Sequence, residues 1–355
     1  MEIKESVQLL RKLSEAWGPS SYEQGVKRVI LDEVKKIKLE VLHDHLGSLI
    51  LKKPMQNSQK YRIQVLAHMD EIALMINKIN RDGTLNFLPL GGWLTTAMGA
   101  QEWTIITAQG PVLAVSGIKP PHTTPLEERD KSLKMSELFL DLGASTYEQV
   151  TKLGVRVGDL VLPSTKFQEL SVENRVMGKA LDNRSCCALL CDMILHEDFS
   201  NEVYYTFTTQ EEVGARGAKT ASYQVNPDIV IGVDVGDSDD YPGGKNSAGL
   251  GLGVQVVLYD AGTLPHQGLL QFVLDLAQKS QIPVQKAFIS GGRTDTATAH
   301  LNKQGAMALN IAIPTRYMHS HTSIIDLNDY ANAYKLLKLL LEALDQKTIE
   351  DLLNQ

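Results

Sequence analysis

The stretch "YTFTTQEEVGARGA", residues 205–218, sets two adjacent glutamates, Glu211 and Glu212, where an apolar, β-branched run gives way to a glycine-containing turn. Neighbouring like charges repel and gain nothing from packing, so a purely structural role leaves both in water. A functional role needs a cation nearby. The run before the glutamates reads as a strand and the segment after "GARGAKTA" as a helix.

Three other apolar runs end in similar chemistry. "YRIQVLAHMD" closes on His68 and Asp70, "DIVIGVDVGD" on Asp234, and "ALNIAIPTRYMHSH" runs up to His319 and His321. Ligands of open α/β sheets bind beyond the carboxyl ends of the strands, so residues distant in sequence can converge there. A fifth candidate is Asp182 in "KALDNRSCC", just before a helix, where an ordinary N-cap is the competing role.

Strand-like runs alternate with helical ones on either side of these endings. After residue 165 the order is helix "NRSCCALLCDMILHE", strand, helix, strand, a glycine-rich section, helix "HQGLLQFVLDLAQKS", strand "AMALNIAIP" and a leucine-rich final helix. That alternation specifies a sheet covered on both faces. Near the N-terminus two helices are expected, broken at "WGPSS", with Ser20 or Ser21 available to cap the second. "LEVLHDHLGSLILKK" and "YRIQVLAHMDEIALMI" then read as consecutive strands.

Between about residues 71 and 164 the texture changes to short runs such as "WTIITAQ", "PVLAVSGI" and "DLVLP" separated by Gly, Pro and Asp. The expected architecture is therefore α/β: a mixed central sheet flanked by helices, carried by residues 1–70 and 165–355, with a small β-rich domain inserted at 71–164. Its loop "KPPHTTPLEERDKSLK" is polar and proline-interrupted, the composition of a segment that orders only against a neighbour.

The 355 residues carry 42 acidic and 35 basic side chains, a net charge of −7. No basic footprint for nucleic acid or an anionic membrane is present. No apolar run is long enough to span a bilayer, and "MEIKESVQLLRKLSEAW" lacks the order of a signal peptide; a cytoplasmic location is expected. Cys186, Cys187 and Cys191 read as small apolar residues of a buried helix and are assigned no role.

Counting donors gives two imidazoles and three carboxylates: His68, Asp182, Glu212, Asp234 and a histidine of the 319/321 pair. If Asp182 bridges two divalent ions, each receives three protein ligands. A shared water then completes both, leaving the open position that a catalytic zinc site requires. Two divalent cations also balance three carboxylates and a hydroxide, so the cluster can be buried. Glu211 is left over, free to act as general base on the bridging water and then to protonate a departing amine. Asp70 is placed to fix the tautomer of His68, with a plain surface aspartate as the alternative.

In these residues the chain resembles the tetrahedral aminopeptidase family, which includes glutamyl, lysyl and deblocking aminopeptidases. The motifs are "AHMDEIALMI", "GGW" at 91–93, "VSGIKPPH", "KALDNR", "TTQEEVGARGA", "VDVGD", "GGRTDTATAH" and "RYMHSH". The resemblance implies a cocatalytic dimetal aminopeptidase with a β-barrel-like dimerisation domain, assembling into hollow tetrahedral dodecamers and acting on short peptides. By position it implies His68, Asp182, Glu212, Asp234 and His319 as metal ligands, Glu211 as general base and Asp70 as the acid orienting the histidine. The choice of His319 over His321 rests on this resemblance. Zinc suits the mixed nitrogen and oxygen donors, as do cobalt and manganese.

The chain departs from the family pattern at Ala73 and Arg293, each at a position often occupied by glycine. Arg293 or Lys245 offers a cation for an acidic substrate side chain, against the plainer role of a surface charge. Asp237, Asp239 and Asp240 are candidates to meet a substrate amine, against a solvated acidic loop. The competing readings are a deacetylase or dipeptidase with the same metals, a glycoside hydrolase of the endoglucanase type, and an inactive assembly protein. Glycoside hydrolysis needs two carboxylates ~5–9 Å apart and no histidine ligands.

Overall fold

The computed structural model describes residues 3–55, 60–128, 131, 133–245 and 247–354. Helices α1 (Ile3–Glu15) and α2 (Gln24–Val34) precede a hairpin of β1 (Glu40–His43) and β2 (Leu49–Lys52), and then β3 (Arg62–His68). Neither Ser20 nor Ser21 caps α2: its N-cap is Glu23, which makes no side-chain cap bond. The Ser20 hydroxyl instead donates to Asp70, 2.6 Å away.

The chain then leaves the sheet. Strands β4 (Ala73–Ile79), β5 (Leu85–Leu90), β6 (Glu102–Thr107), β7 (Gly110–Ser116) and β8 (Leu140–Asp141), helix α3 (Tyr147–Lys152) and strand β9 (Leu160–Pro163) follow. The six strands close a barrel in the order β4-β5-β8-β7-β6-β9. Leu74, Ile76, Leu85, Trp103, Ile105 and Val161 fill its interior. "YRIQVLAHMDEIALMI" is thus split between two bodies, because the side chains of β3 pack on helices and those of β4 pack inside the barrel. In the proline-interrupted loop, 3-10 turns form at Pro121–Thr123 and Leu126–Glu128; residues 129, 130 and 132 lie outside the described residues.

The return half comprises β10 (Gln168–Glu169), β11 (Arg175–Gly178), α4 (Leu181–His196), β12 (Glu202–Thr208), α5 (Arg216–Val225), β13 (Ile229–Asp237) and β14 (Val254–Asp260). After it come α6 (Gln267–Lys279), β15 (Val284–Ile289), α7 (Thr296–Ala299), β16 (Met307–Arg316), β17 (Ser323–Asp326), α8 (Leu327–Ala343) and α9 (Gln346–Leu353). Among the described residues eleven strands form one mixed sheet, ordered β1-β2-β12-β3-β13-β16-β17-β11-β10, with β14 and β15 branching from β16. Its centre, β12-β3-β13-β16, is parallel. Both faces are covered, which is why these strands read as continuous apolar runs. Ile63, Val65 and Ala67 of β3 join the core formed with α1, α2, α4, α6 and α8, while Leu66 packs with Ala218 and Ala299 of α5 and α7 on the opposite face.

A buried ionic triad ties the barrel entrance to this core. Glu71, in the link from β3 to β4, sits 2.7 Å from Lys179 Nζ and 3.2 Å from Arg184. The guanidinium of Arg184 is fully buried and also donates to the carbonyls of Leu13, Ala16, Gly18 and Met69. Satisfying the donors this completely is what makes a buried cation tolerable.

Candidate metal centre

Parallel register brings the carboxyl ends of β12 and β3 level, pairing Thr208 with His68. The chain enters β12 from α4 and leaves β3 for the barrel, so a crevice opens at that edge. Asp234 lies inside β13 rather than beyond it, three residues before its end. Asp182 and Asn183 lack helical backbone angles, so Asp182 stands just ahead of the regular turns of α4, and its side-chain contacts are to His68 and His319 rather than to a helix amide.

The five donors converge. His68 Nε2 is 3.1 Å from Asp182 Oδ1 and 3.8 Å from Asp234 Oδ1. His319 Nε2 is 3.5 Å from Asp182 Oδ2 and 3.8 Å from Glu212 Oε2. Each imidazole carries a hydrogen bond on its other nitrogen: His68 Nδ1 donates to the Asp70 carbonyl at 3.1 Å, and His319 Nδ1 to the Gly92 carbonyl at 2.9 Å. Both Nε2 atoms therefore face the carboxylates. Donor atoms of His68, Asp182 and Glu212 lie within 4.8 Å of one another, a spacing that admits a metal ion.

Electrostatics make the same demand. Burial and the charge of Asp182 push Glu212 up to about 8, and burial with Asp182 does the same to Asp234, against the pull of His68. Glu211 is driven well above its ordinary value by burial and by Asp295 and Glu212, again against His68. For His68, burial opposes the charged ring, but hydrogen bonds to Asp182 and Asp70 outweigh it. His319 rises to about 10 in the same way, burial being overcome by its bond to Asp182. Protons are thus drawn to imidazoles that have no other cation to share. This donor set fits divalent ions, which would displace those protons and compensate the carboxylates.

Asp70 is fully buried, which excludes the surface reading. Its carboxylate Oδ1 is 3.5 Å from His68 Nδ1, farther than its own carbonyl. The carboxylate's shorter bonds are to the Glu211 and Glu212 amides, at 2.9 and 3.2 Å. Glu23 holds the same turn by accepting from the Gln210 amide at 3.1 Å. The two glutamates sit in a turn opened by Gln210 at φ +57°, not on the strand, so turn geometry rather than strand alternation aims them apart. Glu212 faces His319, and Glu211 lines the cavity with His68, Asp182 and Asp234.

Sequence reasoning missed the supports. Cys187 donates its thiol to the His68 carbonyl at 3.1 Å and Cys186 to the Asp234 carbonyl at 3.2 Å. Burial pushes the Cys187 thiol up to about 12, so it stays a neutral donor. Of the acidic trio, Asp240 pairs with Arg316 at 2.7 Å and Asp239 accepts from Ser247 and Ala248. Asp237 alone of the three lines the cavity, as does Arg293. Lys245 is exposed elsewhere on the surface.

The sequence pattern of the M42 glutamyl aminopeptidase family matches residues 47–336. The chain belongs to that family. As an M42 peptidase it is an enzyme, a hydrolase acting on peptides, in a family of dimetal aminopeptidases. It is 33% identical to a lysyl aminopeptidase of Pyrococcus furiosus, over 95% of this chain and 97% of that protein. It superposes on the TET aminopeptidase of Thaumarchaeota archaeon SCGC AB-539-E09 with a TM-score of 0.94 at 35% identity, covering 98% and 99% of the two chains. Against the Pyrococcus horikoshii TET1 peptidase, which can assemble into a tetrahedron or a large octahedral shell, the TM-score is 0.84 at 28% identity, over 96% and 100%. The mixed sheet with its closed six-stranded barrel is the architecture of these M42 peptidases. No helix among the described residues is long and apolar enough to cross a membrane.

Proposed function

We propose that the protein removes the N-terminal residue of short peptides at a centre of two divalent ions, held by His68, Asp182 and Asp234 on one side and by Asp182, Glu212 and His319 on the other. The observation that carries this reading is Asp182, whose two oxygens address two different imidazoles. When bound, the ions would lower the pKa of an attacking water and polarise the scissile carbonyl. Zinc is the expected metal, with cobalt or manganese as substitutes.

Glu211 is the general base. It lines the cavity beside the donors without belonging to either ligand group, and its carboxylate is destabilised as an anion by burial. It takes a proton from the attacking water and delivers it to the amine that leaves as the peptide bond breaks. Asp70 acts behind it, holding the Glu211 and Glu212 amides and bracing His68.

Asp237 is the group we assign to the substrate ammonium, since its carboxylate alone among the three loop acids is left facing the cavity. Arg293 makes no ion pair among the described residues and stands at the same cavity, with its guanidinium over Gly214; it favours an acidic N-terminal side chain. Residues 1–70 and 165–355 form the catalytic domain and 71–164 a dimerisation domain. By likeness to the TET peptidases the subunits assemble as a homo-oligomer, a tetrahedral dodecamer enclosing the sites, in the cytoplasm.

The test is hydrolysis of a panel of aminoacyl-p-nitroanilides and short peptides, with bound metal quantified, by wild type and Glu211→Gln. Release of N-terminal residues by wild type, lost with metal retained in the variant, supports the reading. A metal-loaded wild type that cleaves only acetylated substrates or dipeptides moves the deacetylase and dipeptidase readings ahead.

A further inference from the structure

The link after β5 carries Gly91, Gly92 and Trp93 out of the barrel and into the candidate metal centre. The Gly92 carbonyl accepts the hydrogen bond of His319 Nδ1 at 2.9 Å, which leaves Nε2 toward Asp182 and Glu212. No side chain fits there. A Cβ on Gly92 would lie 2.9 Å from His319 Nδ1, and one on Gly91, whose φ is +82°, would lie 3.0 Å from Glu212 Oε2. The barrel therefore touches both residues that Asp182 joins in the second ligand group. His68 and Asp234 are braced instead by Cys187 and Cys186 of α4.

The same loop that carries His319 is pinned a second time. His321 is 5% exposed and packs against two barrel tryptophans, its ring centroid 5.4 Å from Trp93 and 4.3 Å from Trp103, at 61° and 74°. Neither ring nitrogen reaches a partner in hydrogen-bond geometry among the described residues, although the Ala97 backbone lies close enough to act on the ring. Edge-to-face packing holds the ring. Trp103 is buried in the barrel interior, and Trp93 is fixed by donating Nε1–H to the Ala73 carbonyl of β4 at 3.1 Å. An imidazole buried mainly by ring packing carries the desolvation cost of its polar atoms without gaining stability over an apolar ring. Its position, two residues beyond a candidate ligand, suggests what it is for.

We propose that the barrel sets the affinity of the second ion site alone, orienting His319 through the Gly92 carbonyl and through the wedge of His321 between Trp93 and Trp103. His321 is on this account a positioning residue that works by shape. The inference rests on the metal reading of the site. Groups that orient a ligating histidine typically change metal affinity by about 10–100-fold when altered.

Full-length protein stripped with chelator is titrated with Co2+, following heat and the visible absorption of the bound ion. Wild type is expected to take up two ions in resolved steps. In His321→Ala and in Gly92→Ala the same one of the two steps should loosen by about 10–100-fold while the other stays at its wild-type value. His321→Phe, which keeps the wedge and removes the nitrogens, should restore the wild-type curve. Circular dichroism and thermal unfolding establish that each variant is folded. Wild-type affinity for both ions in folded His321→Ala and Gly92→Ala overturns the inference, as does a loss in His321→Phe equal to that in His321→Ala. A wild type that binds no Co2+ overturns the metal reading with it, which separates the two failures.

Discussion

Asp70 Oδ1 accepts the hydrogen bond of the Glu211 amide at 2.9 Å, so the residue that backs His68 also sets the direction of the proposed base. Glu211→Gln is expected to lower kcat by about 10²–10⁴-fold, the usual range for a lost general base, with two ions still bound. Asp70→Ala should lower kcat and weaken metal binding together, because it frees both the glutamate turn and the His68 ring. Steady-state rates with metal analysis on the same samples distinguish the two patterns.

Asp182 serves both imidazoles, whereas Glu212 serves one. Asp182→Ala should therefore deplete both ions, and Glu212→Ala only the one beside His319. Elemental analysis after gel filtration reads the difference directly. Equal depletion in the two variants argues against a bridging carboxylate.

In the chelated protein Glu212 and Asp234 hold their protons up to about pH 8, against ordinary carboxylate values near 4. A carboxylate whose folded pKa is raised binds more protons folded than unfolded, so its contribution to stability falls as pH rises from about 4 to about 8. The metal-free protein should accordingly lose Tm across that window. Ions compensate the same charges, so the gain in Tm on adding metal should grow with pH across that window. A metal-induced shift that is flat across the window contradicts the assignment.

Glu71→Gln leaves Lys179 and Arg184 buried with no carboxylate. Breaking such a group by removing one partner costs roughly 3–5 kcal/mol, a loss that urea unfolding monitored by tryptophan fluorescence should register. Because the triad ties the link between β3 and β4 to α1 and α4, the barrel should also become more susceptible to limited proteolysis at its entrance.

Arg293→Ala should raise KM for aminoacyl substrates with glutamyl or aspartyl side chains and leave neutral ones almost unchanged, the effect shrinking in high salt as a surface-accessible charge is screened. Arg293→Glu should reverse the preference toward lysyl and arginyl substrates. An unchanged panel returns Arg293 to the status of an ordinary surface charge.

The architecture was legible in the sequence because it is written locally. Continuous apolar runs such as "DIVIGVDVG" specify strands buried on both faces, and their alternation with helices specifies a parallel-centred sheet. The short, punctuated runs that follow β3 specify the strands of the closed barrel. The candidate site was legible for a related reason: strand ends are where side chains can meet, so acids and histidines following several apolar runs already formed a set.

What the sequence could not contain is the traffic between distant segments. That the Ser20 hydroxyl would serve Asp70 rather than a helix cap, or that Glu71 would gather Lys179 and Arg184, depends on which elements become neighbours. The turn that aims Glu211 and Glu212 apart is fixed by Asp70 and Glu23, from two other parts of the chain. His321 looked interchangeable with His319 until the barrel placed Trp93 and Trp103 around the one and the Gly92 carbonyl against the other. Local composition alone determined strands, helices and donor types, because these follow from backbone preference and the period of burial. Tertiary structure alone decided orientation, because a side chain's direction is fixed by hydrogen bonds and packing from residues far away along the chain.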